Sequence, residues 1–151
     1  MADLNSNQIP IYAITPVTGT GVIAASSNTV TLGSNTNGAT IITAGAAGGR
    51  VYSLLGCTDD TVTVNVFLYI LSGATVRPIG MVNIPLSSGN TNAARFPVDL
   101  LSSTNLPGLP IDNNGKTYIE LGANEVLKCG ALANLTAAKT CYITGLGAQY
   151  S

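Results

Sequence analysis

Thr61-Val62-Thr63-Val64-Asn65-Val66-Phe67-Leu68-Tyr69-Ile70-Leu71 is the stretch that decides the fold class. Val62, Val64, Val66, Leu68 and Ile70 fall on one parity, and Thr61, Thr63, Asn65, Phe67 and Tyr69 on the other. Side chains two apart share a face of an extended strand, so this alternation predicts a central β-strand with one face in the core. The second face turns aromatic at Phe67 and Tyr69. Burial on both sides is expected, by the core on one and by a partner or a loop on the other, which makes Phe67 and Tyr69 candidate partner-contact residues.

Outward from this strand, short apolar and Thr-rich runs alternate with turn clusters at about the 8–12-residue spacing of sandwiches and barrels. Strands are predicted at residues 22–25, 29–32, 39–43, 50–57, 61–71, 76–84, 95–100, 116–121, 125–129 and 139–144. Residues 101–115, with Pro107-Gly108, Pro110 and Asn113-Asn114-Gly115, read as a crossing loop followed by a tight turn. The helix formers of residues 131–138 are too few for more than one turn. The reading is all-β, with residues 19–151 forming a single β-sandwich domain and residues 1–18 an extended N-terminal arm.

The arm carries Ile9-Pro10-Ile11-Tyr12-Ala13-Ile14-Thr15-Pro16, apolar but interrupted by two prolines. Proline lacks the donor that a central strand needs, so this is an arm or an edge strand, folded back on its own domain or laid on a neighbouring subunit. Ile9, Ile11, Tyr12 and Ile14 are too apolar for a free tail. They are predicted to make contacts outside their own sandwich.

Of the 151 residues, 46% are hydrophobic and only 9% charged, with a net charge of −1. A typical soluble domain carries about 25% charged residues, and a surface this neutral is poorly protected against association. The six basic residues are scattered singly, so no stripe could neutralise a run of phosphates and no nucleic-acid partner is expected. Residues 1–10 hold no charged region followed by an apolar one, and no run reaches the roughly 18 apolar residues of a membrane span. Synthesis in a cytoplasm and no membrane partner are expected.

Histidine is absent, which removes Ser-His-Asp and Cys-His pairs, histidine metal sites and near-neutral proton shuttling. Cys57, Cys129 and Cys141 form no CxxC spacing and are odd in number, so free thiols are expected. Cys129 alternates in step with Leu127 and Cys141 with Ile143, as buried structural thiols would.

Each candidate site has a simpler structural explanation. Ala44-Gly45-Ala46-Ala47-Gly48-Gly49-Arg50 lacks the Lys-Ser/Thr ending of a phosphate loop and reads as a wide turn. Asp112-Asn113-Asn114-Gly115 lacks the ligand spacing of a calcium loop and reads as a hairpin turn. Asp59-Asp60, between two strong strands, caps a turn rather than holding a cation. Glu120 and Glu125 could be imagined as a glycosidase pair, with nothing else in support. With no Trp, 6 Tyr and 2 Phe, platforms for stacking on sugars are few. No catalytic, cofactor-binding or metal-binding residue is assigned, no cofactor is expected, and the chain is read as not an enzyme.

The order of features resembles a family of small β-sandwich proteins among the structural proteins of tailed bacteriophages, the head decoration or cement proteins. The matching stretches begin with Ile41-Ile42-Thr43-Ala44-Gly45-Ala46-Ala47-Gly48-Gly49-Arg50-Val51, Val64-Asn65-Val66-Phe67-Leu68-Tyr69-Ile70 and Pro78-Ile79-Gly80-Met81-Val82-Asn83-Ile84-Pro85. They continue with Leu106-Pro107-Gly108-Leu109-Pro110-Ile111-Asp112, Leu121-Gly122-Ala123-Asn124-Glu125-Val126-Leu127 and the terminal Tyr142-Ile143-Thr144-Gly145-Leu146-Gly147-Ala148-Gln149-Tyr150. Where the family pattern often ends in Gly-Gly-Asp-Tyr, this chain has Gly147-Ala148-Gln149-Tyr150, so no role for that acidic residue carries over. The resemblance implies a jelly-roll-like antiparallel sandwich without enzymatic activity, on the capsid exterior of a virion. Its implied partner is the major capsid protein lattice, and threefold lattice positions favour a homotrimer. The alternative is a tail, neck or head-fibre module that recognises host surface glycan.

Overall fold

The computed structural model describes residues 15–25, 28–31, 37–89 and 97–150. They contain no helix and nine strands: β1 (Thr15–Ala24), β2 (Ala39–Thr43), β3 (Gly49–Thr58), β4 (Val64–Ser72), β5 (Thr75–Ile84), β6 (Val98–Asp99), β7 (Ile119–Leu121), β8 (Val126–Ala131) and β9 (Thr140–Gln149). One sheet, here sheet A, has the order β1-β9-β3-β6, with β7 on the same edge of β3 as β6. The other, sheet B, has the order β2-β8-β4-β5. All strand pairs are antiparallel, and the two sheets pack face to face as a β-sandwich.

The alternation read in the sequence becomes this core. Val64, Val66, Leu68 and Ile70 of β4 point inward with Ile41, Ile42, Val82, Ile84 and Leu127 of sheet B. They meet Ile23, Val51, Leu54, Cys141 and Ile143 of sheet A. Each fully buried aliphatic side chain contributes about 2 kcal/mol, so this interior is the main source of stability.

The long sides of the sandwich are closed differently. At one, β1 lies so near β2 that a Cβ on Gly19 would sit 1.8 Å from the Ile41 carbonyl oxygen. Only glycine lets the two backbones approach so closely. At the other side, Leu100, Leu101 and Leu106 from the crossing connection fill the interior. Between β4 and β5 the chain reverses through Gly73 and Ala74, with Ser72 paired to Thr75. Gly73 has φ of 60°, the position where a two-residue hairpin requires glycine.

Several expectations move. Thr15, Pro16, Val17 and Thr18, assigned to the arm, are the first residues of β1, paired with Gln149, Ala148, Gly147 and Leu146. Pro16 is tolerated there because β1 is an edge strand of sheet A. Of the strand expected at 29–32, the described residues 29–31 hold one bridge, Thr29 to Ala131, and of that at 95–100 the described residues 97–100 hold β6; residues 32, 95 and 96 lie outside the described residues. Ile9, Ile11, Tyr12 and Ile14 lie outside the described residues.

Candidate functional site

The outer face of sheet A is built by the residues that alternate with its core positions. On β1, Ile23 points inward while Val22 points out. On β9, Cys141 and Ile143 are buried while Tyr142 and Leu146 are exposed. On β3, Leu54 is buried and Leu55 exposed, and Tyr52 occupies the bulge where the β3–β9 register shifts. The register sets these side chains in rows: Val22, Tyr142 and Cys57; then Thr20, Thr144 and Leu55; then Thr18, Leu146 and Ser53. Thr20 and Thr144 share a 3.1 Å hydrogen bond between hydroxyls, which ties β1 to β9 on this face.

Val22, Tyr52, Leu55, Tyr142 and Leu146 are 36–54% exposed, so the face presents a contiguous apolar and hydroxyl surface. Charges on it stand at its margins. Asp99, opposite Leu55 on β6, accepts the Leu101 amide at 3.0 Å. Arg50 and Glu120 lie at the opposite end, paired at 3.0 Å. There the Arg50 guanidinium stacks 4.0 Å over the Tyr118 ring, and the Tyr150 hydroxyl donates to Glu120. Burial and that hydrogen bond both push the Tyr150 phenol above its ordinary pKa, so it stays a neutral donor. A face uncharged at its centre and rimmed by hydrogen-bonded polar groups is equipped for surface-to-surface contact, with aromatic and aliphatic anchors at its centre.

Phe67 and Tyr69 require a correction as partner contacts. They are 2% and 0% exposed, stacked on each other at 5.5 Å, and covered by Val30 of the chain itself. Val30 sits over Gly130, where any side chain would collide with it, and its amide donates to the Ala131 carbonyl. The Tyr69 hydroxyl accepts the buried Gly38 amide at 3.0 Å. The second burial of β4 is therefore by an internal loop, and a partner could reach these rings only by displacing it.

The two carboxylates imagined as a glycosidase pair belong to different sheets. Glu120 is committed to Arg50 and Tyr150 on sheet A. Glu125, buried beside β8, accepts the Gly122 amide at 2.8 Å and pairs with Arg77 of β5. Burial alone would raise its pKa. The Gly122 amide, Ser72 and Arg77 outweigh this and hold it below the ordinary value, the reverse of what a general acid needs.

The turn motifs are structural throughout. Gly45 and Gly48 bridge the β2–β3 turn, and the Gly48 amide donates to the Gly45 carbonyl at 3.0 Å. Asp112 Oδ1 accepts the Asn114 and Lys116 amides, each at 2.8 Å, holding its hairpin turn. Asp59 accepts the Thr140 amide at 2.7 Å. Asp60, fully buried, accepts from the Thr136 amide, the Thr136 hydroxyl and the Val62 amide. All three cysteines are free, with Cys129 and Cys141 buried.

The exposed apolar face was not foreseen, although a trace of it stands in the sequence. Tyr142-Ile143-Thr144-Gly145-Leu146 carries apolar residues on both parities, the pattern of a strand with apolar contact on two sides. No protein-family model and no curated protein matches this chain.

Proposed function

We propose that this protein is a non-enzymatic structural protein of a phage virion, a jelly-roll-like sandwich that decorates the capsid exterior and cements neighbouring capsid subunits. The observation that carries the reading is the uncharged, apolar outer face of sheet A. Among the described residues nothing covers it, and on a molecule with 9% charged residues it favours lasting association. Strand order supports the fold part, since every strand before β9 except β4 and β6 is followed by one in the other sheet, as in jelly rolls. The resemblance to decoration proteins supports the location. A homotrimer on the major capsid protein lattice multiplies modest contacts, because each subunit that engages raises the effective concentration of the next.

Imaging of purified virions tests this directly. Density for this sandwich on the outer capsid lattice is the expected result, and density confined to the tail, neck or a fibre overturns it. The second reading, a glycan-recognising module at one of those other locations, is favoured by one feature. Tyr118, Tyr150, Arg50 and Glu120 gather aromatic and hydrogen-bonding groups at one end of sheet A. Specific binding on a glycan array, abolished by Tyr150→Ala, would move the assignment there.

A further inference from the structure

The two sheets treat their outer faces differently. Sheet B has Phe67 and Tyr69 covered by the chain's own Val30 segment. Sheet A leaves Val22, Tyr52, Leu55, Tyr142 and Leu146 open among the described residues. We infer that residues 9–14 of a second copy of this chain cover the outer face of sheet A, so that the copies assemble by exchanging N-terminal segments. This rests on the assembly part of the reading above and identifies the surface that performs it.

Three observations converge on that occupant. The first is chemical match: residues 8–16, Gln8-Ile9-Pro10-Ile11-Tyr12-Ala13-Ile14-Thr15-Pro16, carry no charge, and neither do the central rows of the face. The second is reach. Six extended residues span at most about 20 Å, against about 10 Å across the three strands β1, β9 and β3 that carry the uncharged rows, so the segment is long enough to cross them.

The third is direction, and it selects a second copy over the chain's own face. Thr15 already pairs with Gln149 as the first residue of β1, at the end of the edge strand. Thr15 precedes Pro16, which biases it to extended backbone, and residues 11–15 contain no Gly, Asn, Asp or Pro to reverse the chain. A return over the chain's own face would need a reversal just before Thr15, where residues 11–14 hold none of the residues that make one. Donating a segment to the next copy is a head-to-tail contact, which forms a ring such as a trimer when the rotation between copies closes.

The test is a bridging experiment in the full chain with Cys57→Ser, Ile11→Cys and Thr144→Cys, treated with a short bismaleimide. Thr144 lies in the middle row of the face, and the remaining thiols, Cys129 and Cys141, are fully buried. The expected product is a covalent species of two or more chains, absent when either new cysteine is omitted. A second pair, Tyr12→Cys with Leu146→Cys, is read in the same way, and circular dichroism checks that each variant is folded. A bridge formed only within one chain overturns the inference, as does no bridge from either pair. Capsid binding of the unmodified protein is measured separately by co-sedimentation. Bridging without capsid binding would overturn the functional reading alone, and capsid binding without bridging would overturn this inference alone.

Discussion

Asp60 shows how a single buried charge is made acceptable. Burial alone would raise its pKa, but hydrogen bonds from Thr136, Val62 and Thr61 outweigh that cost and hold it below the ordinary carboxylate value. Because it joins the β3–β4 turn to the loop before β9, Asp60→Ala removes the acceptor of the Thr136 and Val62 amides and of the Thr136 hydroxyl, all in part-buried bonds. It should lower unfolding free energy by about 3 kcal/mol, measurable by urea titration. The sign of the pH dependence follows from the lowered pKa. Asp60 binds protons more readily unfolded, so its stabilisation is complete above its unfolded pKa of about 3.9 and is lost as pH falls through the lower folded value. The urea midpoint should therefore drop below about pH 4, and less so in Asp60→Asn, where the group no longer titrates. Cysteine reactivity provides a separate check. Burial pushes the Cys141 thiol up to about 12, raises Cys129 further, and raises the half-buried Cys57 as well. Iodoacetamide at pH 8 should label Cys57 alone and slowly in the folded protein, and all three thiols after denaturation.

At the scale of elements, the packing of β1 and of the Val30 loop depends on single atoms. Gly19→Ala would place a methyl group inside the Ile41 carbonyl, so β1 must move away from β2. A loss of about 3 kcal/mol in thermal or urea unfolding is expected, at the upper end of overpacking costs. Gly73→Ala meets no neighbour and is opposed only by its φ of 60°, so it should cost about 1 kcal/mol. Tyr69→Phe keeps the stacked ring but leaves the buried Gly38 amide without its acceptor. A loss of about 1–2 kcal/mol is expected, with faster hydrogen exchange at Gly38.

For the whole molecule, the exposed face of sheet A is where folding and the proposed assembly can be measured apart. Leu55 and Leu146 are partly exposed and lie outside the core, so Leu55→Asp with Leu146→Asp should change unfolding free energy by only about 1 kcal/mol. The same pair sets two carboxylates in the middle of an uncharged surface. Sedimentation of this variant should shift from an assembled species toward the 15.3 kDa chain, and capsid co-sedimentation should fall with it. An unchanged sedimentation coefficient would show that the face takes no part in assembly.

How much of this was legible in the sequence follows from which interactions are local. The strand at residues 39–43 and the core parity of β4 could be read directly, because alternation reports which face of a strand meets oil and which meets water. The turns at Gly45 and Asp112 were legible because their hydrogen bonds close within the motif, whereas the carboxylates of Asp59 and Asp60 reach Thr140 and Thr136, far along the chain. Other features depend on partners far along the chain. Pro16 concealed the start of β1, whose place on a sheet edge depends on β9, more than a hundred residues away. Phe67 and Tyr69 announced a second buried face but not its cover, which Val30 supplies from a segment that the sequence presents as a strand of its own. The apolar rows of sheet A exist only where β1, β9 and β3 lie side by side. Composition and periodicity thus determined an all-β, sparsely charged sandwich. Only the tertiary register decided which sheet covers itself and which is left open among the described residues, because that depends on pairing between strands distant in sequence.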